Sequence, residues 1–192
     1  MVKPTVDSGQ EFFDRWRARI EPVQERIDRD SGIMAPQVQS AEEAKHLVAA
    51  MRYPPDGMRG ATSGCMACGF GADFDAYFPR ANKELTGIAQ IETREGFEAV
   101  DEIAAVEGID VLFIGHSDLT LDLGCYGQFD HPDVTEAEDR VLNACRQHGK
   151  TAGMLLKASM DVSVCRRRGF TFLARGVDLS LLRDAIARSL QL

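Results

Sequence analysis

The sequence predicts an α/β protein built on a parallel sheet. Two observations lead there: short runs of aliphatic and β-branched residues closed by glycine or polar residues, and helical-period segments that alternate with them. Thr86 to Ile91 and Val111 to Ile114 show the first pattern. Each run is too short for a helix and is apolar on both faces, as strands covered on both sides are. Between them, Glu95 to Val106 places Phe97, Val100, Ile103 and Ala104 at helical spacing, and Gly108 supplies the stop. Strand, helix, strand is a βαβ unit, whose right-handed crossover makes its two strands parallel.

The remaining elements follow in order. Ser8-Gly9-Gln10-Glu11 is a capping box, after which Phe12, Trp16, Ile20, Val23 and Ile27 form one apolar stripe. Residues 1–31 are therefore expected to be an N-terminal helical extension, kinked at Pro22, with residues 32–192 as one domain. Ile33 to Val38 reads as a strand, and Ser40 with Glu43 starts a helix over Ala41 to Met51. A long loop opens at Tyr53-Pro54-Pro55-Asp56-Gly57 and runs to Gly71, ahead of a helix around Phe74 to Asn82. Loops of that length in a compact domain are more often functional than idle. Pro132 to His148 is a helix opened by proline and closed by Gly149. Strand Thr151 to Leu156, helix Ser159 to Arg168, strand Phe170 to Ala174 and a helix from Leu179 complete five strand–helix units.

Composition narrows the function. The chain has 192 residues, 44% of them hydrophobic and 27% charged, with a net charge of −8. That balance opposes nucleic-acid binding, which needs a basic face. The cluster Arg166-Arg167-Arg168 precedes Gly169 and suits a helix C-terminus, where cations complement the macrodipole. Five cysteines without a secretory h-region in Met1 to Gln10 argue against a disulfide framework and for a reducing cytoplasm. No apolar run reaches membrane-spanning length. Neither GxGxxG after a strand nor GxxxxGK[ST] occurs, so nucleotide binding loses its usual support. Cys65-Met66-Ala67-Cys68 has no second CxxC or histidine pair nearby, and reads as loop cysteines rather than a metal or redox centre.

The chemistry-bearing feature is a carboxylate at the end of each of two strands: Glu92 after Thr86 to Ile91, and Asp118 in Gly115-His116-Ser117-Asp118. Parallel strands bring both to the carboxyl edge, where α/β proteins bind their ligands. Two carboxylates with water and a chelating substrate make the oxygen-rich shell that Mg²⁺ or Mn²⁺ prefers. The competing reading for each is a helix cap or ion-pair partner.

Taken together, Arg52-Tyr53-Pro54-Pro55 with Gly57 and Arg59-Gly60, Gln90-Ile91-Glu92-Thr93, Val106 to Asp110, and Ile114 to Leu119 closely resemble the HpcH/HpaI aldolase and citrate lyase family. Gly124, Gly127, His131-Pro132, His148-Gly149-Lys150 and Gly176-Val177-Asp178 continue the match, over about residues 32 to 192. The resemblance implies a metal-dependent pyruvate aldolase on a (β/α)₈ TIM barrel, cytoplasmic and oligomeric, acting on small 2-oxo acids and aldehydes. It implies Glu92 and Asp118 as the metal carboxylates, Gln90 and Ser117 as contacts to the bound oxo acid, and Leu155 as a wall of that pocket. A Schiff-base lysine, Lys150 or Lys157, is the alternative aldolase chemistry.

The chain departs from the family in one respect. Its units correspond to the last five of the barrel, so the barrel is expected to be incomplete. The histidine with its acidic partner and the enolate-stabilising arginine that relatives carry on the first three have no match in Met1 to Ser31. His116, where some relatives have proline, is the acid–base candidate at the carboxyl edge; the alternative is a structural hydrogen bond. Arg175, at a strand end that is usually small or apolar, is a candidate for the anionic substrate, with a neighbouring helix as its other destination. Arg94 is a weaker candidate on a helix surface. A non-catalytic remnant that keeps the ion and oxo-acid site, and an incomplete product with a compromised fold, are the rival readings.

Overall fold

A computed structural model describes residues 32–157 and 160–190. The expected N-terminal helix lies outside the described residues.

Five strands form one sheet in the order β1-β2-β3-β4-β5: Gly32–Ala35, Thr86–Ile91, Val111–Ile114, Thr151–Leu156 and Phe170–Arg175. Sequential order is what successive right-handed crossovers produce when each unit is added to the same edge. The pairs β2–β3, β3–β4 and β4–β5 are parallel, with Gln90 opposite Phe113, Phe113 opposite Gly153, and Gly153 opposite Phe172. Because side chains alternate, the next row on that face is Glu92, Gly115, Leu155 and Ala174. The opposite face carries Ile91, Leu112, Ile114 and Met154, all fully buried. Phe172 and Leu155 on the first face are exposed. The sheet is thus covered on one side, while the other is buried at Ile88, Val111 and Phe113 and open at Leu155 and Phe172, the arrangement of part of a barrel wall.

The chain divides into two compact units. The larger comprises Met34–Ala50 and Thr86–Leu192. Its helices are α1 (Ala41–Met51, continuing one residue past the division), α3 (Arg94–Glu98), α4 (Val100–Ala104), α5 (His116–Asp122), α6 (Pro132–His148), α7 (Val162–Arg168) and α8 (Asp178–Ser189). The expected single helix over Glu95 to Val106 is two. Ala99, with φ −90° and ψ 8°, ends α3 and begins α4, so the apolar stripe continues through a change of direction. The Thr93 hydroxyl accepts from the Gly96 amide at 3.1 Å and caps α3. The first strand is shorter than expected, ending at Ala35, because Gln37 adopts left-handed backbone at φ 53°. Helix α5 was not anticipated: the chain turns helical directly after Gly115. Helix α6 has the expected bounds, with Gly149 left-handed at its end.

The second unit contains Gly32, Ile33 and Met51–Leu85 in its described part. A turn of 3₁₀ helix at Met66–Cys68 and α2 (Phe74–Glu84) are its regular elements. Asn82 holds the proline turn: its Oδ1 accepts from the Tyr53 amide at 2.7 Å, and its Nδ2 donates to the Tyr53 carbonyl at 2.9 Å. Arg59 is buried, with its guanidinium 4.5 Å from the Tyr53 ring centroid and 3.1 Å from the Tyr77 hydroxyl. The Cys65 and Cys68 thiols lie 3.1 Å apart inside this unit.

Candidate active site

The candidate site is the carboxyl edge of β2, β3 and β4. Glu92 follows β2 directly and is only 2% exposed. Its Oε1 accepts from the Gln37 amide at 2.9 Å, and its Oε2 accepts from the Gln90 side-chain amide. Burial pushes the Glu92 carboxyl above the ordinary carboxylate range; the Gln37 hydrogen bond opposes this, the charge of Asp118 reinforces it, and the Gln90 bond opposes it. Asp118 stands exposed in the first turn of α5. The two carboxylates therefore repel each other across the end of the sheet, and one of them is disfavoured as an anion.

Gly115 is what lets them approach. A Cβ there would overlap Glu92 Oε2 and lie 2.7 Å from Gln90 Nε2, so only glycine leaves room for the Glu92 carboxylate over β3. The Gly115 amide donates to the Ile91 carbonyl at 3.0 Å, which ties the ends of β2 and β3. This donor set fits a divalent ion: a buried carboxylate of raised proton affinity, a second carboxylate close enough to repel it, and a glycine over which the first carboxylate can lie. Among the described residues no cluster of three or more His, Cys, Asp or Glu side chains is gathered. Mg²⁺ and Mn²⁺ keep several waters, and two protein carboxylates meet their usual minimum.

The other expected residues are distributed as follows. Gln90 lies on the face shared with Glu92 and donates to it. Ser117 is exposed in α5, and its carbonyl accepts from the Thr120 hydroxyl at 3.0 Å. Leu155 is 42% exposed on the open face, in the row of Glu92 and Gly115. Arg175 is exposed at the end of β5, opposite Leu156. Arg94 is on a surface, with its guanidinium 3.9 Å from Asp133 and 6.0 Å from the Phe97 ring.

His116, the acid–base candidate, lies beside α6. Its ring is buried and turned toward α6, where Nε2 lies 2.7 Å from Glu138 Oε1. The competing expectation, a structural hydrogen bond, describes this geometry. Burial alone would raise the Glu138 carboxyl, but hydrogen bonds from His116 and Arg168, and then their charges, hold it below the ordinary range. Of the two lysines, Lys150 donates to the Val106 carbonyl at 3.3 Å before β4 begins, at the opposite edge from Glu92. Lys157 follows β4 at the carboxyl edge with its ammonium over the Phe129 ring. Desolvation lowers the Lys157 pKa, and Asp130 opposes that.

Sequence reasoning missed Gln37, Gly115 and Glu138. Gln37 contributes only a backbone amide, which every residue but proline has. Gly115 was legible in principle, as the glycine between a strand and a candidate ligand. Glu138 lies mid-helix, where a glutamate normally faces solvent.

The family model for HpcH/HpaI aldolase/citrate lyase matches residues 23–185. A 5-keto-4-deoxy-D-glucarate aldolase of Shigella boydii is 42% identical over 152 residues, covering 79% of this chain and 59% of the relative. A hydroxypyruvate/pyruvate aldolase of Roseovarius nubinhibens is 40% identical over 158 residues, 82% of this chain and 62% of the relative. The chain thus spans about three-fifths of the length of these curated relatives. Among solved structures, an HpcH/HpaI aldolase/citrate lyase family protein from Burkholderia cenocepacia superposes with a TM-score of 0.79 at 34% identity, over 88% of this chain and 67% of that one.

Proposed function

Because the chain belongs to the HpcH/HpaI aldolase/citrate lyase family, we propose that it is a metal-dependent aldehyde-lyase. In this reading it cleaves or forms the C–C bond beside pyruvate in 4-hydroxy-2-oxo acids. The observation that carries this is the coupling of buried Glu92 to Asp118 at the carboxyl edge, over the space that Gly115 leaves.

Glu92 and Asp118 would hold Mg²⁺ or Mn²⁺, and the ion would supply a Lewis acid for the negative charge that C–C cleavage leaves beside the carbonyl. Gln37 and Gln90 orient the Glu92 carboxylate by donating to one oxygen each. The oxo acid would sit against Leu155 on the open face, with Ser117 at the first turn of α5 as a contact to its carboxylate; Arg175, in register with Leu156 on the other face of the sheet, is not assigned to it. Since the described part of the His116 ring's hydrogen bonding is spent on Glu138, proton transfer is not assigned to it. The aldehyde and 2-oxo acid are the small-molecule partners of this reading. A homo-oligomer belongs to it as well: Leu179, Leu182 and Ile186 on α8, a helix with no buried residue, and Leu190 just after it make an exposed apolar stripe, which a second copy would cover. The side chains of Cys65, Cys68, Cys125, Cys145 and Cys165 are all buried, and a reducing cytoplasmic location belongs to this reading. No helix among the described residues is long and apolar enough to cross a membrane.

The orientation of His116 favours a second reading, a non-catalytic module that binds the ion and the oxo acid. Pyruvate release from a 4-hydroxy-2-oxo acid with added Mn²⁺ separates the two. Turnover that is lost in Glu92→Ala and with EDTA is the expected result; Mn²⁺ binding without turnover supports the second reading, and turnover that survives both treatments overturns the metal mechanism. Borohydride reduction in the presence of pyruvate is expected to leave the protein mass unchanged, because neither Lys150 nor Lys157 is proposed to form a Schiff base.

A further inference from the structure

Helix α5 carries Asp118 and is anchored by buried Leu119 and Thr120 on one side, while Asp118 itself is exposed. It has seven residues and no side-chain hydrogen bond at its N-cap, Gly115. Asp122 at its far end accepts from the Arg94 amide at 2.8 Å, and its first residue makes the long-range polar connection nearest to Asp118. The His116 and Glu138 side chains are 6% and 7% exposed, with Nε2 and Oε1 2.7 Å apart. The other Glu138 oxygen accepts from Arg168 Nη1 at the end of α7, and Arg168 Nη2 donates to Asp139 at 3.0 Å. The start of α5 is thereby tied to the middle of the 17-residue α6, and through it to α7. A buried bond with both partners ordered fixes direction as well as distance.

We propose that Glu138, acting through His116, is a positioning residue that sets the angle at which α5 leaves β3, and so places Asp118 opposite Glu92. The role rests on the reading of Glu92 and Asp118 as the metal carboxylates. Partners one shell out from a ligand commonly change metal affinity ten- to a hundredfold when removed. Here the connection runs through the backbone of residues 116 to 118 rather than through the ligand's own side chain.

The test is Mn²⁺ affinity by titration calorimetry, with the Mn²⁺ EPR spectrum as the signature of ligand geometry. His116→Phe keeps a ring of similar size in the buried site and removes the bond. It is expected to weaken Mn²⁺ binding about tenfold or more and to alter the EPR line shape. Glu138→Gln can still bond to His116 and is expected to stay within about threefold of wild type, whereas Glu138→Ala should match His116→Phe. Val141→Ala, a cavity on the same helix, controls for general loosening and should leave affinity and spectrum unchanged. Wild-type affinity in His116→Phe, or an equal loss in Val141→Ala, overturns the positioning role. Undiminished Mn²⁺ binding in Glu92→Ala overturns the metal reading and the positioning role with it. Loss in Glu92→Ala beside wild-type binding in both His116→Phe and Glu138→Ala overturns the positioning role alone.

Discussion

At Glu92 a proton and a divalent cation would contend for the same two oxygens. The folded carboxyl binds its proton more tightly than the unfolded one, first because it is buried and then because Asp118 is near. The stability this proton contributes is fully present below the unfolded pKa and is lost as pH rises through the folded one. A cation relieves the cost of the buried charge without a proton. Mn²⁺ affinity is accordingly expected to fall on acidification, beginning above the ordinary glutamate range; calorimetry as a function of pH checks it, and a flat profile would exclude Glu92 as a ligand. Gly115→Ala should cost fold stability, since the added methyl would lie 2.9 Å from the Glu92 Cβ as well as against the ends of Glu92 and Gln90, and it should weaken Mn²⁺ binding at least tenfold by displacing Glu92. The carboxylates were legible in the sequence because each follows an apolar run. The bond to the Gln37 amide was not, because it depends on a left-handed backbone at a residue type that gives no such warning. Nor was the orientation of His116, which follows from α5 starting one residue after the strand-end glycine.

Among the elements, caps and crossings set the stability of the site's frame. The Thr93 hydroxyl caps α3 and also accepts from the Gln39 side chain at 3.2 Å, so it joins the segment after β1 to the helix after β2. Thr93→Ala is expected to cost about 1 to 2 kcal/mol in urea unfolding. Gly87 in β2 is a stricter case, because a Cβ would overlap the Gly108 carbonyl, which belongs to a backbone that cannot swing aside. Gly87→Ala should cost about 1 to 3 kcal/mol or more by the same measurement. Glu138 contributes in the opposite pH sense to Glu92. Its folded pKa is lowered, so its stabilisation is present above the unfolded value and is lost as pH falls through the folded one. Glu138→Gln should therefore flatten the acid limb of a stability profile. Strand and helix bounds were readable from periodicity wherever an element had one clear stripe, as α6 and β2 do. The break at Ala99 was hidden because α3 and α4 share a continuous stripe that spacing alone reads as one helix.

For the whole molecule, the sequence pattern foretold a parallel five-stranded sheet, and the fold has one with its strands in chain order. Relief of carboxylate repulsion links metal to folding: Mn²⁺ at about a hundred times its Kd should add about 2.7 kcal/mol of stability, seen as a rise in Tm that Glu92→Ala abolishes. The exposed stripe on α8 predicts self-association, so Ile186→Glu should shift the chain toward monomer in light scattering without lowering Mn²⁺ affinity. Which surfaces stay covered was illegible in the sequence, since a leucine stripe reads the same whether its partner is the chain's own sheet or another copy.

The buried cysteines give the two units separate clocks. Cys65 and Cys68 belong to one unit, and Cys125, Cys145 and Cys165 to the other. No thiol can react with an alkylating reagent until the structure around it opens, and burial also pushes the Cys145 thiol up to about 11, which keeps it protonated at neutral pH. Modification of each cysteine, followed by peptide mass, then times the opening of its own unit under native conditions. If the units open independently, the labels accumulate in two waves; if they open together, all five cysteines record one rate.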